Sequence, residues 1–201
     1  MCFFSQISKN AVELQHRFNA KFEGGILFKP IAYNAFQFPK TPVITNKNRE
    51  LIQMFQWGLI PHWAKNDEIK KNTLNARVET IHEKPSFKYA LQNRCLIIAD
   101  GFFEWQWLDP KGKQKQKYLI TLPENQLFAF AGLYNIWADP TTGEMINTYT
   151  ILTTAANELM SIIHNSKKRM PIILNPEDEN LWLSGANLKH KDVNLIATKE
   201  A

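Results

Sequence analysis

Cysteine and glycine are scarce in this chain of 201 residues, with two of the former and eight of the latter. Two cysteines cannot build a disulfide framework, and Cys2 and Cys95 form no C-x-x-C pair, so a reducing, cytoplasmic compartment is expected. Long apolar runs are also missing. The longest candidate, Leu127 to Ala138, is broken by Asn135 and falls well short of the ~20 residues that a membrane helix needs. No basic segment followed by an apolar one opens the chain, so neither a secretory leader nor a membrane partner is expected. So little glycine leaves hardly any material for a phosphate-cradling loop, and G-x-S-x-G and H-E-x-x-H are both absent. The five histidines (16, 62, 82, 164 and 190) lack metal-ligand spacing. Neither a metal nor a cofactor is expected.

Apolar side chains are plentiful. They make up 44% of the chain, with 13 Phe and 6 Trp, which suits a sizeable core and excludes disorder as the main state. The length fits a single domain, 1–201. A net charge of +5 favours anionic partners. Ser8 can cap a helix from Lys9 to Ala20. Ile26 to Phe28, Val43 to Ile44 and Leu51 to Trp57 read as strands, with Pro39 to Pro42 as loop. Arg94 to Ala99 and Phe102 to Leu108 are strands joined through Asp100-Gly101, either a tight turn or a bulge. Asp109-Pro110-Lys111-Gly112 is a type I turn that returns Lys117 to Leu122. Leu127 to Tyr134 and Thr148 to Leu152 are further strands. Thr154 can cap a helix over Ala155 to Ile163 with Leu159, Ile162 and Ile163 as its buried stripe, and Asn175-Pro176 opens another helix. Many strands, few helices and no βαβ alternation predict an α+β fold, with an antiparallel, partly barrel-like sheet and peripheral helices.

Four features carry chemistry. Cys2 follows the initiator Met, and small side chains there permit Met removal. That would leave a 1,2-aminothiol, with an amine near ~7.7–8 and a thiol near ~8.5. Such a group closes on an aldehyde to a durable thiazolidine; the plain alternative is an incidental residue at a terminus. In Asn75-Ala76-Arg77-Val78-Glu79, an extended chain puts Asn75, Arg77 and Glu79 on one face, as a solvated edge would also do. Glu104 stands in the aromatic stretch Phe102-Phe103-Glu104-Trp105. Either it points to water, or it is partly buried with the raised pKa of a general acid. His164 falls where a helix ends, which favours its protonated ring, and a basic cluster follows it. Lys111, Lys113, Lys115 and Lys117 alternate, as on a solvated hairpin or a phosphate-tracking strand.

Together these form a pattern. Met1-Cys2, Tyr33-Asn34 with Pro39, Trp57-Gly58-Leu59-Ile60-Pro61 with Trp63, Asn75-Ala76-Arg77-Val78-Glu79-Thr80, Ala99-Asp100-Gly101-Phe102-Phe103-Glu104-Trp105, and His164 with Arg169-Met170-Pro171 occur in order. In these motifs the chain resembles the SOS response-associated peptidase family, the abasic-site shielding proteins. The resemblance implies covalent capture of abasic sites in single-stranded DNA by a monomeric, nucleoid-associated protein. Cys2 would be the nucleophile, Asn75 would hold the Cys2 backbone and the opened sugar, and Glu104 would orient the amine and move protons. His164 would be the acid/base that opens the sugar ring. Arg77 and Arg169 would hold phosphates, and Asn34, Pro39 and Trp63 would lie along the DNA.

The chain also departs from the family pattern. Phe3-Phe4 stand where the family commonly has Gly-Arg, and Ser166 to Lys168 lengthen the segment between His164 and Arg169. The family's C-terminal His-Pro segment is unrecognisable after Gly185. Two other readings are a Cys2-dependent peptidase that acts on itself or on other substrates, and a non-covalent single-strand-binding module.

Overall fold

A computed structural model describes residues 2–25, 27–187 and 191–200. The elements in chain order are β1 (Phe4–Ile7), α1 (Ala11–Phe18), β2 (Lys21–Phe22), β3 (Ile31–Asn34), β4 (Lys40–Thr45), β5 (Leu51–Trp57), β6 (Asn75–Arg77), α2 (Pro85–Lys88) and β7 (Arg94–Ala99). There follow β8 (Gly101–Trp107), β9 (Lys115–Thr121), β10 (Phe128–Ala138), β11 (Met145–Ala155), α3 (Glu158–Ile163), β12 (Arg169–Pro171), β13 (Ile173–Leu174), α4 (Pro176–Leu183) and β14 (Ile196–Lys199).

Two sheets result. One runs β14-β9-β8-β1-β3, antiparallel in every pairing. The other runs β12-β11-β10-β7-β4-β5-β2, and a further parallel pairing of β11 with β5 closes β11-β10-β7-β4-β5 into a ring. This is the expected α+β, partly barrel-like architecture. Closure removes sheet edges that would otherwise be exposed. The ring is filled by side chains that include Val43, Phe55, Trp57, Ile97, Phe130, Tyr149 and Ile151.

Asp100 is the corner between the sheets, neither a hairpin turn nor a bulge. β7 ends before it in the ring and β8 begins after it in the open sheet. Its backbone N–H donates to the Gln6 carbonyl at 3.1 Å. Its buried carboxylate accepts from both the Ser8 backbone N–H and the Ser8 hydroxyl at 2.6 Å. That contact explains one failed expectation. Ser8 is engaged by Asp100 and caps nothing; Asn10 instead forms a capping box with Glu13 at the start of α1.

Other expectations also need correction. Lys40 to Pro42 are strand rather than loop, because β4 pairs with β5 from Lys40 onward. Leu27 and Phe28 lie outside any strand, and Ile26 lies outside the described residues, as do Met1 and His190. Thr154 and Ala155 are still in β11; Asn157 caps α3 through a bond from the Met160 N–H at 2.9 Å. The buried face of α3 is Met160 and Ile163, while Ile162 is 57% exposed. The Asp109 turn forms as expected, with Gly112 at φ +64° donating to the Asp109 carbonyl.

Candidate functional site

Cys2, Asn75 and Glu104 come from three distant stretches and meet where the open sheet faces the barrel. β1 leads out of Cys2 between β3 and β8, with Phe4 opposite Asn34 and Ser5 opposite Phe102. β6 lies parallel to β11, with Asn75 opposite Ile151. From there the Asn75 Nδ2 donates to the Cys2 carbonyl at 2.8 Å. Cys2 is fully buried, and its Sγ donates weakly to the Phe4 carbonyl at 3.7 Å. Burial, and then the charge of nearby Glu104, push its thiol well above the usual range.

Glu104 takes the second of its two expected settings, away from water. Alternation along β8 puts it on the inner face with Phe102, and only 4% of it is exposed. Burial raises its carboxyl to about 7. At neutral pH it is therefore divided between a proton donor and a proton acceptor, as a general acid–base group requires.

His164 caps the C-terminal end of α3, which docks on the end of β8. Asn165 both donates to the Trp107 carbonyl and accepts from its N–H, at 2.9 and 3.0 Å, and Gln106 donates to the Ile162 carbonyl. The expectation of a protonated ring fails. A helix end favours the imidazolium by ~0.3–1 kcal/mol, less than one pKa unit. Burial instead lowers His164 from 6.5 to about 4, so the ring is neutral at pH 7. Its Nδ1 lies 2.8 Å from the Arg169 carbonyl. The Arg169 backbone N–H lies 3.2 Å from the same Nδ1.

Arg169, expected at a phosphate, is instead turned inward. It is nearly buried and forms a bidentate pair with Glu79 at 2.6 and 2.8 Å, with a further bond to the Thr153 carbonyl. The pairing holds the Glu79 carboxyl below its usual range. Arg77, two residues away, remains exposed. Among the remaining expected positions, Asn34 caps the 3-10 turn of Ala35–Gln37. The Pro39 carbonyl accepts from the Trp57 N–H. Trp63 is 46% exposed on the loop after β5, and among the described residues no hydrogen bond joins it to Cys2. That loop is pinned by a small second core of Ile60, Ala64 and Trp137, with the Trp137 indole donating to the Ala64 carbonyl.

Three participants escaped sequence reading. Glu79 was visible as one of three polar residues on a face, but its partner lies 90 positions away. Asp100 gave no signal beyond its turn-like Asp-Gly. Phe36, 55% exposed and in contact with Phe3 and Phe4, gave none. Among the described residues there is no cluster of three or more His, Cys, Asp or Glu that could hold a metal, and no helix long and apolar enough to cross a membrane.

The sequence model of the SOS response associated peptidase (SRAP) family matches residues 1–201. The chain belongs to that family. Among SRAP relatives, the abasic site processing protein YoqW of Bacillus subtilis is 47% identical over 146 residues, which is 72% of this chain and 62% of YoqW. The abasic site processing protein HMCES of Gallus gallus is 35% identical over 73% of this chain and 49% of its own length. The matched region thus spans 62% of one of these relatives and about half of the other. A crystal structure of a protein from Bacteroides thetaiotaomicron superposes with a TM-score of 0.88 at 36% identity, covering 98% of this chain and 91% of that one. A Bordetella bronchiseptica protein shares the fold at 24% identity, with a TM-score of 0.82.

Proposed function

We propose that this SRAP protein processes abasic sites in single-stranded DNA by covalent capture on Cys2. The observation that carries the reading is the junction of Cys2, Asn75 and Glu104, which joins the one residue able to become an aminothiol to a carbonyl anchor and a group that titrates near neutrality. The relatives named abasic site processing proteins support it.

Removal of Met1 frees the Cys2 amine. In its neutral form the amine adds to the aldehyde of the ring-opened deoxyribose, giving a carbinolamine. Protonated Glu104 donates to the departing hydroxyl, so water leaves and a protonated imine forms. The thiol then adds to the imine carbon and closes the thiazolidine. Its proton must go to a base, because burial keeps it a thiol, and Glu104, now a carboxylate, takes it. The balance is aminothiol plus aldehyde giving thiazolidine plus water. Neutral His164 is suited to take the proton of the anomeric hydroxyl and pass it to the ring oxygen as the closed sugar opens to an aldehyde and an alcohol. Exposed Arg77 is suited to a flanking phosphate.

A thiolate peptidase reading is disfavoured by the same geometry. An activated Cys has a lowered pKa, whereas this thiol is raised. The test is intact mass spectrometry before and after mixing with abasic single-stranded DNA. Loss of Met1 and an adduct one water lighter than the sum are expected. Cys2→Ala should abolish the adduct, and Cys95→Ala should keep it, since Cys95 is a buried core thiol. An undiminished adduct in Cys2→Ala would end the proposal.

A further inference from the structure

We infer that the outer face of the five-stranded sheet binds the single strand that flanks the lesion, through a band of aromatic rings interleaved with lysines. This rests on the capture reading for its starting point at Cys2. The alternation that turns Ser5, Phe102 and Glu104 inward leaves Phe4, Trp105 and Trp107 half-buried on the opposite face, where Phe103 is buried beneath Lys117. Register places Lys117 beside Trp105 and Lys115 beside Trp107. The Lys117 ammonium lies 4.2 Å from the Phe103 ring centroid, and that of Lys115 lies 5.7 Å from Trp107.

At the other end of the band, Phe36 packs on Phe3 at 4.9 Å and on Phe4 at 6.3 Å, and Phe4 meets Trp105 edge-on at 4.9 Å. Phe36 is more than half exposed. A continuous band therefore runs from Phe36 across β1 and β8 to β9, and the turn beyond carries exposed Lys111 and Lys113. Acidic groups are few along it. Glu200 stands 3.8 Å from Lys117, and Asp109 spends its carboxylate on backbone N–H groups of the turn.

The occupant follows from this alternation. A surface of ring faces with ammonium groups between them matches a polymer that alternates flat bases with phosphates, and sequence-tolerant single-strand binding uses both kinds of contact. Continuity gives the direction. Phe3 and Phe4 follow Cys2 in the chain, so a strand whose lesion is held at Cys2 meets them and Phe36 as it leaves.

The test is fluorescence anisotropy with labelled, undamaged oligothymidylate, using the full chain. Phe36→Ala and Phe36→Leu should each weaken binding about tenfold, the scale of one lost base stack. Leu keeps the packing volume and so separates stacking from folding. Lys115→Gln with Lys117→Gln should make the log–log salt dependence shallower by about 0.7 per lysine. Capture of an abasic trinucleotide, too short to reach β9, should be unchanged when Lys115→Gln and Lys117→Gln are combined. Wild-type affinity in all of the variants, no binding by the wild type, or equal affinity for duplex DNA would overturn the inference. Binding of oligothymidylate without capture of abasic DNA would instead overturn the Cys2 reading and leave the band standing.

Discussion

Glu104→Gln removes one titrating group from the Cys2 junction while preserving its shape, and the pH dependence of capture should register the loss. The wild-type reaction needs a neutral Cys2 amine, with an ordinary pKa of ~7.7–8, and a protonated Glu104, whose carboxyl is raised to about 7. The fraction of protein in both required states is greatest midway, near pH ~7.4, and falls by roughly tenfold or more two pH units to either side. The acid limb reports the amine and the alkaline limb reports Glu104. His164 cannot supply the alkaline limb, because burial holds it near 4 and its ring is already neutral.

Single-turnover crosslinking to abasic oligonucleotide, read on denaturing gels between pH 5 and 10, therefore separates the two residues. Glu104→Gln should be slower by ~10²-fold or more near the optimum, the usual worth of a positioned acid. Its remaining rate should rise to a plateau above pH ~8 with no alkaline fall. His164→Gln should also be slow but should keep both limbs. An unchanged bell in Glu104→Gln would refute the assignment. A lost alkaline limb in His164→Gln would show that the imidazole, not the carboxyl, is the acid.

The same carboxyl predicts a stability effect. The folded protein holds the Glu104 proton with a pKa of about 7 against an ordinary 4.5, so stability declines as pH rises from 4.5 to 7 and the full cost is present above pH 7. Glu104→Gln should accordingly be more stable than wild type at pH 8, by up to ~3 kcal/mol, and similar at pH 4; urea titrations at the two pH values check this. At the Arg169–Glu79 pair, Glu79→Ala strands a nearly buried guanidinium. It should cost about 2 kcal/mol, below the ~3–5 of a fully buried pair because Glu79 is half exposed. Adding Arg169→Met should recover part of that loss. In β10, a Cβ on Gly132 would collide with the Ile97 Cδ1 and come within 2.8 Å of the Thr150 carbonyl oxygen. Gly132→Ala should therefore destabilise by ~1–3 kcal/mol in the same assay.

The sequence revealed those features whose cause is local. β5 and β7 are apolar runs bounded by turn residues and appear with the expected limits. Cys2 raised the aminothiol idea through its side chain and its place after Met1, whereas Asn75 entered through the family motif. What stayed hidden depends on partners far along the chain. Ser8 looks like a cap until Asp100 takes its donors from 92 positions away. Arg169 looks like a phosphate ligand until Glu79 and Thr153 claim it. His164 illustrates the point most fully. Its place at a helix end is local and argues for a charged ring, whereas its burial is set by the docking of α3 on β8 and argues for a neutral one. Desolvation outweighs the dipole, so the ring expected to be charged is neutral at pH 7. In the proposed mechanism the acid step therefore rests on Glu104, where the sequence had left both settings open.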